Sequence, residues 1–299
     1  MAESRIVVTD FTDIPPRVSE WRRFQRVFFS RGVVIFGLIV LLLLILTAIF
    51  AAWLAPYDPY KPGGVGKGLL QPSRDHLLGT DLIGRDTLSR LIYGSRTALM
   101  VGFISVMVSS IIGVPLGIIA GYSGGFINIA IMRTMDALMC FPMLLLALVV
   151  AAVLGGGIQN VIIALSVGTI PGYARVTHGL TLSLKETDYI MAQTAMGSGK
   201  VRTMFKHILP NAFPPLIVLM TMQLGNLILA EAGLSFLGIG IEPPGAAWGA
   251  MVNDGYQYLK NNPVLSFAPG LAIMLVVFAF NMVGDGLRDA LDPKLRGLL

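Results

Sequence analysis

The chain has 299 residues, of which 55% are apolar and 13% charged, against roughly 45–50% and about 25% in an ordinary soluble domain. With a mean hydropathy of +0.74 it carries too few charges to cover a water-facing surface of that size. A soluble enzyme, a disordered tail and a disulfide-rich secreted scaffold are excluded, and lipid is the solvent for much of the chain. The net charge of +5 matters less than where the basic residues stand, because placement sets orientation in a membrane and nothing here calls for nucleic acid. The one cysteine, Cys140, lies in an apolar run and acts as a small hydrophobe.

A helix that crosses the hydrocarbon core needs about 20 mostly apolar residues. The first uncharged run, Gly32 to Tyr57, follows Arg5, Arg17, Arg22, Arg23, Arg26 and Arg31. It is too long for the apolar part of a signal peptide and is predicted to stay as an anchor. Thr97 to Met132 and Ala137 to Ala174 are each too long for one span. Gly121-Tyr122-Ser123-Gly124-Gly125 and Gly155-Gly156-Gly157 divide them, since glycine clusters mark turns. His207 to Ala230 and Asn261 to Gly284 complete the set. The prediction is an all-α, polytopic membrane protein with six transmembrane helices at 32–54, 97–120, 127–154, 158–178, 210–233 and 265–286. It divides into an N-terminal segment 1–31, a first helix 32–54, an extracytoplasmic loop 55–96 and a five-helix core 97–299. Lys185, Lys200, Arg202 and Lys206, then Lys294 and Arg296, fall on the same side as the N-terminal arginines. The positive-inside rule assigns that side, with both termini, to the cytoplasm.

In the outer loop, Asp81/Arg85 and Asp86/Arg90 are acid–base pairs at i, i+4, which predicts a short surface helix with Leu82, Leu88, Leu91 and Ile92 on its apolar side. The loop then serves as a structural plug or as a docking surface. In the next helix, Gly113, Gly117 and Gly121 form a ridge without side chains that admits a neighbouring helix, and Pro115 is expected to kink it.

Ionisable residues at membrane depth are scarce. Arg133 and Asp136 are spaced to pair with each other, and Glu231 either marks the end of the fifth helix near Gly233 and Ser235 or lines a translocation path. No relay of acids and histidines runs through the spans. A P-loop is also missing: Gly66-Lys67 is followed by Gly68 and Gly199-Lys200 by Val201, so no Ser or Thr stands where phosphate binding requires it. His76, His178 and His207 are scattered, without metal-ligand spacing. The chain is thus expected to carry no catalytic, cofactor or metal site of its own.

The segment 185–210 is too structured for a simple connector. Thr187 or Asp188 can cap a helix over Tyr189 to Met196, Gly197 supplies a left-handed residue, and Ser198 can cap a second helix running from Lys200 to Ile208 and stopping at Pro210. Ala192 and Ala195 keep one surface low for a protein partner, while Lys200, Arg202 and Lys206 suit anionic headgroups.

This segment resembles the coupling loop of ABC importer permeases, whose pattern is Glu-Ala-Ala, three residues, Gly, nine residues, Ile-x-Leu-Pro. Ala192, Gly197, Leu209 and Pro210 fit that pattern, whereas Met191 replaces the acid, Gln193 the second alanine and His207 the isoleucine. His76 to Arg90, Leu234 to Gly240, Pro243-Pro244 with Trp248-Gly249, and Phe280 to Pro293 are similar to the second permease of dipeptide, oligopeptide, glutathione and nickel importers. Within the last run, Asp285/Arg288 is read as a pair and Asp292-Pro293 as the stop of the sixth helix. The resemblance implies the type I ABC importer permease fold in a bacterial or archaeal plasma (inner) membrane. It also implies a second homologous permease, two ATPase subunits or domains that bind ATP and Mg, and an extracytoplasmic substrate-binding protein. Peptide is favoured as cargo over nickel or glutathione. Tyr189, Ala192, Gln193, Ala195, Met196, Gly197, His207, Leu209 and Pro210 are the expected ATPase-coupling residues. A secondary transporter or channel would be expected to show broken helices or ion-coupling charges, and an intramembrane enzyme a nucleophile with its base at membrane depth.

Overall fold

The computed structural model describes residues 20–64 and 66–291. Arg5, Arg17, Asp292-Pro293, Lys294 and Arg296 therefore lie outside the described residues. Among the described residues there is no strand, only an isolated bridge between Thr80 and Asp86. The helices run in the order α1 (Glu20–Phe28), α2 (Gly32–Ile49), α3 (Ala51–Leu54), α4 (Thr87–Ser123), α5 (Gly125–Met139), α6 (Met143–Leu154), α7 (Ile158–Lys185), α8 (Asp188–Ala195), α9 (Lys200–Thr203), a π-helical turn (Met204–Ile208), α10 (Leu209–Phe236), α11 (Trp248–Tyr256) and α12 (Val264–Leu291).

Among the described residues, four helices are long and apolar enough to cross a membrane: α2, α4, α12 and the continuous rod from Lys200 to Phe236. The expected third helix, 127–154, is broken instead. Its halves α5 and α6 meet at 88° and supply a fifth span only if counted together. Pro142 explains the break, since it lacks an N–H and biases Phe141 away from the helical region. The expected fourth helix corresponds to α7, which is 28 residues long. It carries Arg175, His178 and Lys185 and is not among the four apolar spans. By length and composition the count is thus four or five, where six were expected.

α2 has a mean hydropathy of 3.1, yet most of it faces outward. Its buried residues Val34, Gly37, Leu41, Leu44 and Ala48 form a single stripe, while Val33, Phe36, Ile39, Leu42 and Leu43 are exposed, a surface only lipid can solvate. The stripe lies on α12, where a Cβ on Gly37 would stand 3.0 Å from the Ala279 carbonyl oxygen. Arg31 ties the two helices with an ion pair to Asp289 at 2.8 Å. The expected Asp285/Arg288 pair does not form, and Arg288 lines a groove beside α10.

The centre of the molecule is the contact of α4 with α7. A Cβ on Gly113 would stand 2.7 Å from both the Ile170 carbonyl oxygen and Tyr173 Cβ; one on Gly117 would fall on the Ala174 carbonyl oxygen; one on Gly121 would lie 2.8 Å from Thr181 Cβ. The glycine ridge is therefore filled within the chain, by α7. Hydroxyls reinforce the seam: Ser109 Oγ donates to the Ser105 carbonyl at 2.6 Å and lies 2.5 Å from Thr169 Oγ1, at a depth where water offers no competing bonds. α4 runs unbroken through Pro115 and turns into α5 at Gly124 and Gly125, both with positive φ.

The loop between α3 and α4 differs from its prediction. No surface helix forms; α4 begins at Thr87 rather than 97 and absorbs Leu88, Leu91 and Ile92. Asp81 and Arg85 do pair, Nε to Oδ2 at 2.6 Å, but in a buried turn in which Asp81 Oδ1 also accepts from the Arg85 N–H at 2.9 Å. Asp86 does not meet Arg90. Its Oδ2 caps α4 by accepting from the Ser89 N–H at 2.8 Å, and its Oδ1 is 2.8 Å from His76 Nδ1. Arg90 turns toward Asp81 at 3.6 Å. Burial holds the Asp254 carboxyl above its ordinary value, against the opposing pull of Arg90 and Arg85. The loop is pinned to the turn before α12 by Gln71 Nε2 donating to the Asn261 carbonyl at 2.8 Å.

If the α4–α7 seam carries the fold, Gly117→Leu forces the two backbones apart. It should lower stability by roughly 1–3 kcal/mol or more, read as a fall in melting temperature and in membrane yield. Gly172→Leu, on α7 where nothing stands within 4 Å of a new Cβ, should leave both near wild type.

Candidate coupling site

α7 leaves the α4 seam at Lys185, whose Nζ donates to the Tyr122 carbonyl at 3.1 Å and anchors the end of the helix. Thr187 then takes an extended conformation before α8, but its hydroxyl donates backward to the Leu184 carbonyl at 2.6 Å and does not cap α8. α8 ends as the sequence suggests. Gly197 has φ +85°, its N–H donates to the Thr194 carbonyl at 3.0 Å, and the Ser198 N–H donates to the Gln193 carbonyl at 3.1 Å. That pair of bonds is a Schellman closure, which needs a left-handed residue where Gly197 sits. Ser198 does not cap α9; Gly199 does so with backbone alone, and Ser198 Oγ accepts from Thr203 Oγ1 at 3.3 Å.

The second arm departs from expectation at Pro210. The helix does not stop there but runs from Lys200 to Phe236. Met204–Ile208 is a π turn, in which the Leu209 N–H reaches back to the Met204 carbonyl. A widened turn makes room for the proline ring and absorbs its missing donor. Pro210 is thus an entry residue of α10.

Of the expected coupling residues, Tyr189, Ala192, Ala195, Met196, Gly197 and Pro210 are exposed, while Gln193, His207 and Leu209 are half-buried. Ile190 is fully buried and fastens α8 to the core. Around it Met191, Met196, Val201 and Phe205 expose large apolar side chains, and Met196 is 81% exposed. The residues that sequence reasoning missed are Met191, Val201 and Phe205, whose exposure no local pattern announces, and the bond between Gln193 and His207, 2.7 Å from Nε2 to Nε2. A groove of about 830 Å³ opens beside the elbow, lined among others by Leu180, Leu184, Pro214, Leu219 and Arg288.

The other candidate charges resolve into structure. Asp136 stands 4.0 Å from Arg133 and meets Arg175 of α7 more closely, which braces α5 against α7. Glu231 is 1% exposed and its Oε1 accepts from Ser235 Oγ at 2.7 Å. α10 continues past it to Phe236, so Glu231 neither ends the helix nor faces an open path in this chain. Among the described residues no group of His, Cys, Asp and Glu could hold a metal ion.

Residues 113–297, which hold the whole elbow, match the family described as binding-protein-dependent transport system inner membrane component. The chain belongs to that family. Residues 19–72 also match the N-terminal transmembrane domain of oligopeptide transport permease C. Among relatives, a dipeptide transport system permease protein of Alkalihalophilus pseudofirmus is 42% identical over 93% of this chain and 91% of its own. A glutathione transport system permease protein of Pectobacterium atrosepticum is 42% identical over 92% of both chains. A di/tripeptide transport system permease protein of Pseudomonas aeruginosa is 43% identical over 87% of this chain and 88% of its own. In fold, the permease resembles a chain of the inward-facing MetNI methionine ABC transporter. The TM-score is 0.57 at 22% identity, with 68% of this chain and 96% of the other covered. The permease is therefore a membrane-embedded, all-helical component of an ABC transport system, the family to which its sequence motifs pointed.

Ile190 is the apolar anchor of α8. Ile190→Ala should cost about 2–5 kcal/mol locally and raise amide hydrogen exchange across 188–195, while exchange at the α4–α7 seam stays at the wild-type level.

Proposed function

We propose that this permease is the non-catalytic membrane subunit of an ATP-driven importer of short peptides. It would act in the bacterial or archaeal plasma membrane with both termini cytoplasmic. The observation that carries the cargo assignment is the 42% identity over more than nine-tenths of the chain to permeases named for dipeptide and for glutathione. Glutathione is itself a tripeptide, so a short peptide is the chemistry these names share.

The elbow is then the site where ATPase subunits couple. Tyr189, Met191, Met196, Val201 and Phe205 offer an apolar face to an ATPase groove, and α8 is short enough to seat in one. A second homologous permease would pack along the groove walled by Leu180, Leu184, Pro214 and Leu219, and an extracytoplasmic binding protein would deliver cargo on the opposite side. ATP and Mg belong to the ATPase subunits. Lys67 sits in the outer loop and Lys200 opens α9, and neither stands in a P-loop.

Two outcomes test this reading. The purified chain alone should hydrolyse no ATP, and activity should appear only on reconstitution with its ATPase subunits; hydrolysis by the lone chain at the rate of the complex would overturn the assignment. Gly197→Val places a β-branched residue at φ +85°, at a conformational cost of about 1 kcal/mol or more. No neighbour stands within 4 Å, so the conflict is confined to the Schellman turn. Uptake of a dipeptide such as Ala-Ala per ATP hydrolysed should fall several-fold, with the membrane yield unchanged. An unchanged ratio would mean that the elbow is a connector only.

A further inference from the structure

We infer that Gln193 and His207 form a positioning tie that fixes the roll of α8 and passes its movement directly into α10; this rests on the elbow being the coupling site. α8 has eight residues and one fully buried side chain, Ile190. A short helix held at one apolar point can roll about that contact. Gln193 lies three residues on, on the same face as Ile190, and its Nε2 meets His207 Nε2 at 2.7 Å. Two points of attachment along one face remove the roll.

The other end of the tie stands at a mechanically informative place. His207 lies within the π turn Met204–Ile208, in which Met204 and Ile208 point into the core while His207 stays half-buried. One extra residue in a turn rotates the rest of the helix by about 100°, so the π turn sets the angle between the His207 imidazole and the start of α10. The rod beyond is unbroken from Lys200 to Phe236 and packs on α12, α4 and α11. Displacement of α8 therefore reaches deep membrane helices through one hydrogen bond and a continuous helix.

The atom of Gln193 that faces the ring is the amide nitrogen, which carries hydrogens and no acceptor lone pair, so it donates and His207 Nε2 accepts. Gln193 and His207 replace the alanine and the isoleucine of the pattern that the elbow resembles, and the structure brings these two replacements into contact.

The test uses the chain reconstituted with its partner permease and ATPase subunits, with two readouts: amide exchange across 188–195, and uptake of Ala-Ala per ATP hydrolysed. Gln193→Ala and His207→Ala should each raise exchange and lower the uptake ratio about two- to tenfold, the range a net hydrogen bond supports. The double variant Gln193→Ala/His207→Ile leaves neither partner unpaired and should recover to at least the better single variant. Single variants indistinguishable from wild type in exchange, or single effects that multiply in the double variant, would overturn the tie. The coupling reading fails separately, through an unchanged uptake ratio in Gly197→Val. If the wild type takes up no Ala-Ala, the cargo assignment fails and the exchange readout alone decides the tie.

Discussion

The rest of the structure depends on the close approach of two helix backbones, α4 and α7, over Gly113, Gly117 and Gly121. In lipid no hydrophobic force drives one apolar helix onto another, because hydrocarbon solvates a leucine as well as a neighbouring leucine does. Dispersion at short range and hydrogen bonding without competing water remain. The seam supplies both: backbone against backbone where side chains are missing, and hydrogen bonds across it from Ser109 Oγ to the Ser166 carbonyl, from Ser166 Oγ to the Ser105 carbonyl, and between the Ser109 and Thr169 hydroxyls. α7 is also the most polar of the long helices, and packing against α4 is what gives its hydroxyls partners. Its far end carries the elbow, so the position of α8 is set by a contact made at membrane depth.

The two ends of the bundle then handle polar groups in opposite ways. At the end that carries the loop before α4, charges are buried and mutually satisfied. Asp81 serves Arg85 and the backbone of its own turn, Asp86 caps α4 and engages His76, and Arg90 is 2% exposed. Removing one partner of such a cluster leaves another charge stranded. At the elbow the reverse holds. There Met191, Met196, Val201 and Phe205 are large apolar side chains left exposed.

Composition and periodicity are enough for the fold class, because nothing but membrane helices accounts for runs of uncharged residues on this scale. The glycine ridge and the left-handed Gly197 are legible for the same reason: each is a local demand that few residues meet. The features that escape the sequence are non-local. Asp86 and Arg90 have the spacing of a helical pair, but Asp86 is consumed as a cap before Arg90 can compete for it. Asp136 has Arg133 beside it in sequence, but α7 brings Arg175 closer. Pro142 breaks its helix while Pro115, Pro171 and Pro269 ride inside theirs. No local rule separates these cases; neighbouring helices decide which freed carbonyls find another partner. Pro210 reads as a stop in the sequence because the π turn that precedes it leaves no local signal.

That π turn bears on why the elbow is built from two unequal arms. α8 is short, bounded by Gly197, and held along one face by Ile190 and the Gln193–His207 bond. In the second arm Thr203, Met204 and Ile208 are buried, and the helix they begin does not end until Phe236. A regular helix entering Pro210 would leave the ring against the carbonyl four residues back and bend or break at that point. Spreading the strain over Met204–Ile208 keeps the rod continuous, and a continuous rod transmits displacement where a broken one would absorb it. The sequence feature that looks like a terminator is accommodated in a way that preserves stiffness between the exposed elbow and the α10–α12 contact inside the bundle.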